Sequence, residues 1–164
     1  MKKLFVLFYI FIICIEVSAA SENIDMCYSA AAVKYNVPEV VLRSIASVES
    51  DNNSNAVNIT GRSVYAETKE QALQIIQSNR DKSIDIGLMQ INRLWFKKYN
   101  YPLELGLEAC WNIHMGAYIL HYEYMRHGRD IWKAIAHYHS PTEQFQNRYM
   151  NRVYKEIQRW QNIK

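Results

Sequence analysis

Apolar positions recur at helical spacing through most of this chain and divide it into a series of amphipathic helices. Ile24 to Tyr35 reads as the first, closing near Asn36. Pro38 opens a second, where its missing N–H costs nothing, and Val40, Val41, Ile45 and Val48 line an apolar face that runs up to Glu49. From Ser50 to Val64 the turn formers Asp51-Asn52-Asn53-Ser54-Asn55 and Thr60-Gly61 take over, predicting a loop with room for a short strand near Val57–Ile59. Thr68-Lys69-Glu70-Gln71 has the form of a capping box, and the helix behind it carries Ala72, Leu73, Ile75 and Ile76 before fading at Ser78-Asn79. Ser83 to Gly87 is short and extended, and Arg93 to Tyr99 is one or two helical turns. Leu107 to Met125 gives the longest helical pattern, ending at His127-Gly128, where glycine suits the residue beyond a C-cap. Asp130 caps a helix running to about His137. Thr142, after Pro141, starts the last helix, with Phe145, Tyr149, Val153, Ile157 and Trp160 on related faces. The expected class is mainly α, with little or no β-structure and no internal repeat.

The first residues follow a different rule. Met1-Lys2-Lys3 is a short basic stretch, Leu4 to Ile15 is an apolar run, and Val17-Ser18-Ala19 supplies small residues for cleavage. That pattern predicts a secretory signal peptide over residues 1–19, cut after Ala19 or Ala20, with one exported domain over residues 20–164. The alternative is an uncleaved N-terminal anchor, for which the run is short. On the first reading the membrane is met only through the signal. Without Lys2, Lys3 and Glu16, the 19 basic and 16 acidic side chains become 17 and 15, a net charge of +2. So mild an excess suits the neighbourhood of an anionic polymer and gives no support to nucleic-acid binding. Cys14 leaves with the signal, so Cys27 and Cys110 form an even pair that an oxidising compartment would bridge; two free buried thiols are the other possibility.

Chemistry concentrates in two segments. Glu49-Ser50 ends an apolar helix, and Asp85-Ile86-Gly87-Leu88-Met89-Gln90-Ile91-Asn92 follows after the Asn-rich loop. A carboxylic acid partly shielded from water is the kind of group that donates a proton to a glycosidic oxygen, although position alone fits a solvated Glu at a helix end. In the second segment Gly allows close backbone approach, Met packs adaptably against a sugar face, and Gln and Asn supply amide donors and acceptors. Met89, Gln90 and Asn92 are the expected cleft residues, with Leu88 and Ile91 facing inward. Glycosidases commonly use two carboxylates. Asp51, in a turn-forming run, is expected in a local structural role. Asp85 stands as a structural or modulating group, with a catalytic base as the alternative. His137 and His139, two residues apart on a helix, point away from each other, and no Cys/His spacing suggests a metal.

Together these segments resemble the lytic transglycosylase family with the goose-type lysozyme fold, whose signature pairs a Glu-Ser with a Gly-Leu-Met-Gln. Ala134-Ile135-Ala136-His137-Tyr138-His139-Ser140 is similar to a third family segment, Ala-x-x-Tyr-Asn, with His139 in place of the usual Asn. Asn112 also matches a family position of structural character. The resemblance spans roughly Ile24 to Tyr154. It implies a lysozyme-like, mainly α fold and cleavage of the MurNAc-β-1,4-GlcNAc bond of peptidoglycan glycan strands to 1,6-anhydro products. Glu49 is the implied catalytic acid and then base, and Tyr138 orients it. Ser50, Met89, Gln90, Asn92 and His139 hold the glycan or the site, and no cofactor is implied. Many members carry Ala where Asp85 stands. That Asp, the His-Ser after Tyr138 and the long segment from Val57 to Lys82 resemble the branch that serves type III or type IV secretion, pilus and conjugation assemblies. The expected setting is therefore the periplasm. The alternatives are a hydrolytic lysozyme on the same fold, with Asp85 activating water, and an inactive wall-binding assembly module.

Overall fold

The computed structural model describes residues 24–162; the expected signal peptide, its cleavage point and Cys14 lie outside them. Seven α-helices and one 3-10 turn surround a small sheet. Helix α1 covers residues 24–35 and α2 covers Glu39–Ser50 behind an N-cap at Pro38. A hairpin follows, β1 (Ala56–Ile59) and β2 (Arg62–Tyr65), and then α3 (Lys69–Ser78). Strands β3 (Ile84–Ile86) and β4 (Ile91–Asn92) lead into α4 (Arg93–Tyr99) and a 3-10 turn at Leu103–Leu107. Helices α5 (Ala109–Arg126), α6 (Ile131–His139) and α7 (Glu143–Asn162) complete the fold. Among these helices none is long and apolar enough to cross a membrane.

The helix ends follow their sequence signals. Asp130 accepts from the N–H groups of Trp132 and Lys133 at 2.9 and 3.1 Å, neutralising two of the unpaired donors at the start of α6. Thr68 accepts from Gln71 N–H at 3.2 Å, while the Gln71 side chain accepts from Glu67 N–H, one residue earlier than a reciprocal box requires. Gly128 ends α5 at φ +71°. Two expectations shift. The longest helix is α7, with 20 residues against 18 in α5. On it Tyr149 and Val153 are buried, whereas Phe145 is exposed.

The mainly α class holds; the short strand expected near Val57–Ile59 is β1, and the same segment adds a second strand, β2, to a small sheet. Its four antiparallel strands run in the order β2-β1-β3-β4. Thr60 and Gly61, both at positive φ, make the two-residue turn whose twist a hairpin needs. Register pairs Val57 with Ile86 and Ile86 with Ile91, and all three are buried against the core. On the other face Ser63, Asn58, Asp85 and Asn92 fall in one continuous cross-strand row. Alternation along each strand thus separates an apolar face from a polar one. Helices α5 and α6 pack on each other, and α7 closes over α2 and α6.

Cys27 and Cys110 are joined in a disulfide that ties α1 to the first turn of α5, across 83 residues of chain. Closing so long a loop removes much of the unfolded chain's freedom. Replacing both cysteines with Ala should lower unfolding free energy by about 4 kcal/mol in the chain-entropy account, measured by denaturant unfolding of the two proteins under non-reducing conditions.

Candidate active site

The polar row of the sheet forms one wall of a cleft of about 490 Å³; α2, α6 and α7 bring Glu49, Tyr138, His139 and Arg152 to it. Glu49 comes from the last turn of α2, where the buried face of that helix ends. Its side chain is 14% exposed, so it reaches the cleft without being fully solvated. Among the described residues the one ion-pair contact to Glu49 is His139, with Nδ1 3.7 Å from Oε1. Stacking on Tyr149, with centroids 4.2 Å apart and planes within 2°, fixes the His139 ring.

Tyr138 departs from its expected role. Its hydroxyl donates to the Met89 carbonyl at 2.7 Å, so it anchors the Gly-Leu-Met-Gln turn and does not hydrogen-bond Glu49. The phenol that adjoins the acid is Tyr149, on α7. Its hydroxyl meets no group in full hydrogen-bond geometry, but it lies within the electrostatic reach of the Glu49 carboxylate. Burial first, and the charge of Glu49 second, hold both phenols well above the ordinary tyrosine value. Each therefore stays a proton-bearing donor beside the acid.

Ser50 and Met89 also sit elsewhere than expected. Ser50 is fully buried, its hydroxyl within reach of the carbonyls of Leu88 (2.9 Å) and Ala46 (3.1 Å), and so joins α2 to the turn. Met89 is fully buried, lying against Gly116 of α5 so closely that a Cβ there would strike its side chain. Neither side chain forms cleft wall. Chemistry type suggested a sugar contact for Met89, and the family resemblance had Ser50 hold the glycan or the site, but residue type alone does not reveal which way a turn faces.

Gln90 and Asn92 do reach the cleft. At Gln90, φ is +45° and Nε2 donates to the carbonyls of Gly87 and Ala56 at 2.9 and 3.1 Å, leaving Oε1 as its free acceptor. Asn92 caps α4 through Leu94 N–H at 3.0 Å and donates from Nδ2 to Asp85 Oδ1 at 2.6 Å. Asp85 is half-buried on the same wall. Burial pushes its pKa up; the Asn92 hydrogen bond pulls it down, and the Glu49 charge adds a smaller push upward. Asp51 is exposed, at φ +55° as the C-cap of α2, and lines no part of the cleft.

Asn112 holds the frame behind the cleft. This fully buried side chain accepts from Met89 N–H at 2.7 Å and donates to the carbonyls of Ile86 and Gly106, both at 2.8 Å. Gly87, at φ +80°, is packed so tightly that a Cβ would run into the Gly106 carbonyl and the Asn112 amide. Sequence reasoning missed Asn58, Ser63, Tyr65, Trp95, Tyr149 and Arg152 around the cleft. The hairpin alternation could have flagged Asn58 and Ser63; the others carry no local signal.

Comparison with known proteins assigns the family. Residues 26–161 match the family described as the transglycosylase SLT domain, and the chain belongs to that family. It is 30% identical over 120 residues to Protein IpgF of Shigella flexneri, and equally to Protein IpgF of Shigella sonnei. Each match takes in 71% of this chain and 66% of the relative, so about a third of those proteins lies outside it.

Two consequences can be measured. Asn112→Ala removes three hydrogen bonds to buried backbone groups, and at about 1–3 kcal/mol for a buried group left without a partner the variant should lose several kcal/mol, read by denaturant unfolding. Folding also raises the proton affinity of Asp85, so its ionised form costs the folded state stability as pH rises through the folded pKa. Asp85→Asn should therefore raise the melting temperature near neutrality, with the gain fading on acidification into the ordinary aspartate range. Thermal unfolding of both proteins from about pH 8 to about pH 4 checks the sign.

Proposed function

We propose that this protein is a peptidoglycan lytic transglycosylase that cuts the MurNAc-β-1,4-GlcNAc bond without water. The observation that carries this reading is Glu49: a carboxyl with no Lys or Arg in ion-pair distance among the described residues, at the edge of a cleft whose sheet wall sets Asn58, Ser63 and Asn92 beside Asp85. Glu49 protonates the leaving glycosidic oxygen, and the substrate's own N-acetyl group supports the positive anomeric centre. Glu49 then takes the proton of the C6 hydroxyl as that oxygen attacks, closing the 1,6-anhydro ring. One carboxyl thus serves twice, and no cofactor takes part. Gln90 Oε1, Asn58 and Ser63 are placed to bind sugar hydroxyls, with Trp95 as an apolar surface for a ring face.

The setting we propose is the periplasm after export, with local opening of the wall for a secretion, pilus or conjugation assembly. Membership of the transglycosylase SLT family supports the enzymatic part. The assembly part rests on the His139-Ser140 and Asp85 variations of the sequence.

A second reading has one observation in its favour. Asp85 shares the cleft with Glu49, and its raised proton affinity brings it nearer the range of a working base. That arrangement would serve a hydrolase. Mass spectrometry of muropeptides released from purified peptidoglycan separates the two. The expected products are lighter by one water than hydrolysis products, and Glu49→Gln should reduce their release by about 10²–10⁴-fold while glycan binding persists. Reducing-end products lost in Asp85→Asn would establish the lysozyme instead.

A further inference from the structure

Glu123 and His127 stand four residues apart on the last turns of α5, so both project from one face of the helix. Helix α6 runs back past that face and adds His137. None of the three lines the cleft. The Glu123 side chain is 9% exposed, and its Oε2 lies 3.2 Å from His127 Nε2. That nitrogen is buried and meets no hydrogen-bond partner in acceptable geometry. The His127 and His137 rings stack face to face, centroids 3.8 Å apart and planes 9° from parallel. One ligand atom from each of the three side chains lies within 4.8 Å of the others.

The arrangement is poorly explained as packing alone. Neutral imidazole is a common metal ligand through either ring nitrogen. A buried ring nitrogen facing a carboxylate without a proper hydrogen bond is a group whose partner is missing. From these observations we infer that Glu123, His127 and His137 form a binding site for a divalent transition-metal ion of the zinc type, joining α5 to α6.

Two imidazoles and one carboxylate are donors for that class, whereas calcium and magnesium take all-oxygen sets. Bonds of about 2.0–2.2 Å put tetrahedral ligands roughly 3.4 Å apart. The site therefore has to contract, with His137 turning out of the stack about its side-chain torsions. Arg126 now touches both Glu123 oxygens, at 3.1 and 3.3 Å, but its side chain is more than half exposed and can swing into water. Gln146 Nε2, 3.4 and 3.5 Å from the two His137 nitrogens, is the other polar neighbour and is held by Ser140 O at 2.9 Å. Water would complete the fourth position. An ion here would pin His137, the residue next to Tyr138, whose hydroxyl fixes the Met89 turn. The inference does not depend on the reaction proposed for the cleft.

The experiment uses disulfide-intact protein without an affinity tag, titrated with Co²⁺ and followed by visible absorption, and with Zn²⁺ followed by native mass spectrometry. One Co²⁺ per chain should give the intense visible bands of four-coordinate cobalt, and Zn²⁺ should displace it. His127→Gln and His137→Gln should each weaken zinc binding by more than about 100-fold, beyond the 10–100-fold that losing an outer partner costs. Circular dichroism establishes that each variant is folded. The wild-type titration stands alone if a variant does not fold: absence of one-to-one binding overturns the inference. So does one-to-one binding that survives either substitution in a folded variant.

Discussion

Asn112 is the side chain on which the rest of the arrangement depends. With one carbonyl and one amino group it satisfies three backbone groups from three segments: the Met89 N–H of the turn, the Ile86 carbonyl of β3 and the Gly106 carbonyl before α5. Buried backbone polar groups left unpaired are expensive. The turn from Gly87 to Gln90 can therefore be interior and still be fixed. Ser50 and Tyr138 then attach to the same turn from α2 and α6, through Leu88 and Met89. The segment that reads as a substrate contact is in large part the joint at which three helices and the sheet meet. Glu49 is positioned because its neighbour Ser50 is tied to this joint.

The cleft is lined by charges compatible with the role proposed for Glu49. Its sheet wall is built of neutral amides and hydroxyls, with Asp85 the one ionisable group in the row, and Tyr149 and His139 lie on the opposite side of Glu49. Two phenols held protonated by burial and by the carboxylate beside them supply donors without adding a cation. A Lys or Arg in ion-pair contact with Glu49 would hold the carboxyl ionised and remove the proton it has to give.

Most of the helical frame was legible in the sequence because helix ends are local chemistry. Asp130, Thr68 and Gly128 act where their side chains, or the lack of one, predict. The acid, the disulfide pair and the Gly-Leu-Met-Gln segment were likewise visible as types and spacings. What was not legible is facing. Ser50 and Met89 look like ligand residues and are interior, while Tyr149 looks like one more aromatic on an amphipathic helix and adjoins the acid. The strand near Val57–Ile59 was legible, but its partner β2 was hidden, because Ser, Thr and Gly speak for turns. Tertiary pairing with β1 overrode that local preference.

The register of that sheet carries a consequence for how the cleft can change over evolutionary time. Successive strand residues face opposite ways, so the polar row and the apolar face are one residue out of phase at every position. Substitutions within the two connecting turns leave that phase alone. A one-residue slip of a strand against its neighbour would present Val57, Ile86 or Ile91 to the cleft and drive Asn58, Asp85 or Asn92 into the core. An extra residue within a strand is therefore closed to this sheet unless a bulge absorbs it, whereas the Thr60-Gly61 turn can change length without disturbing the two faces.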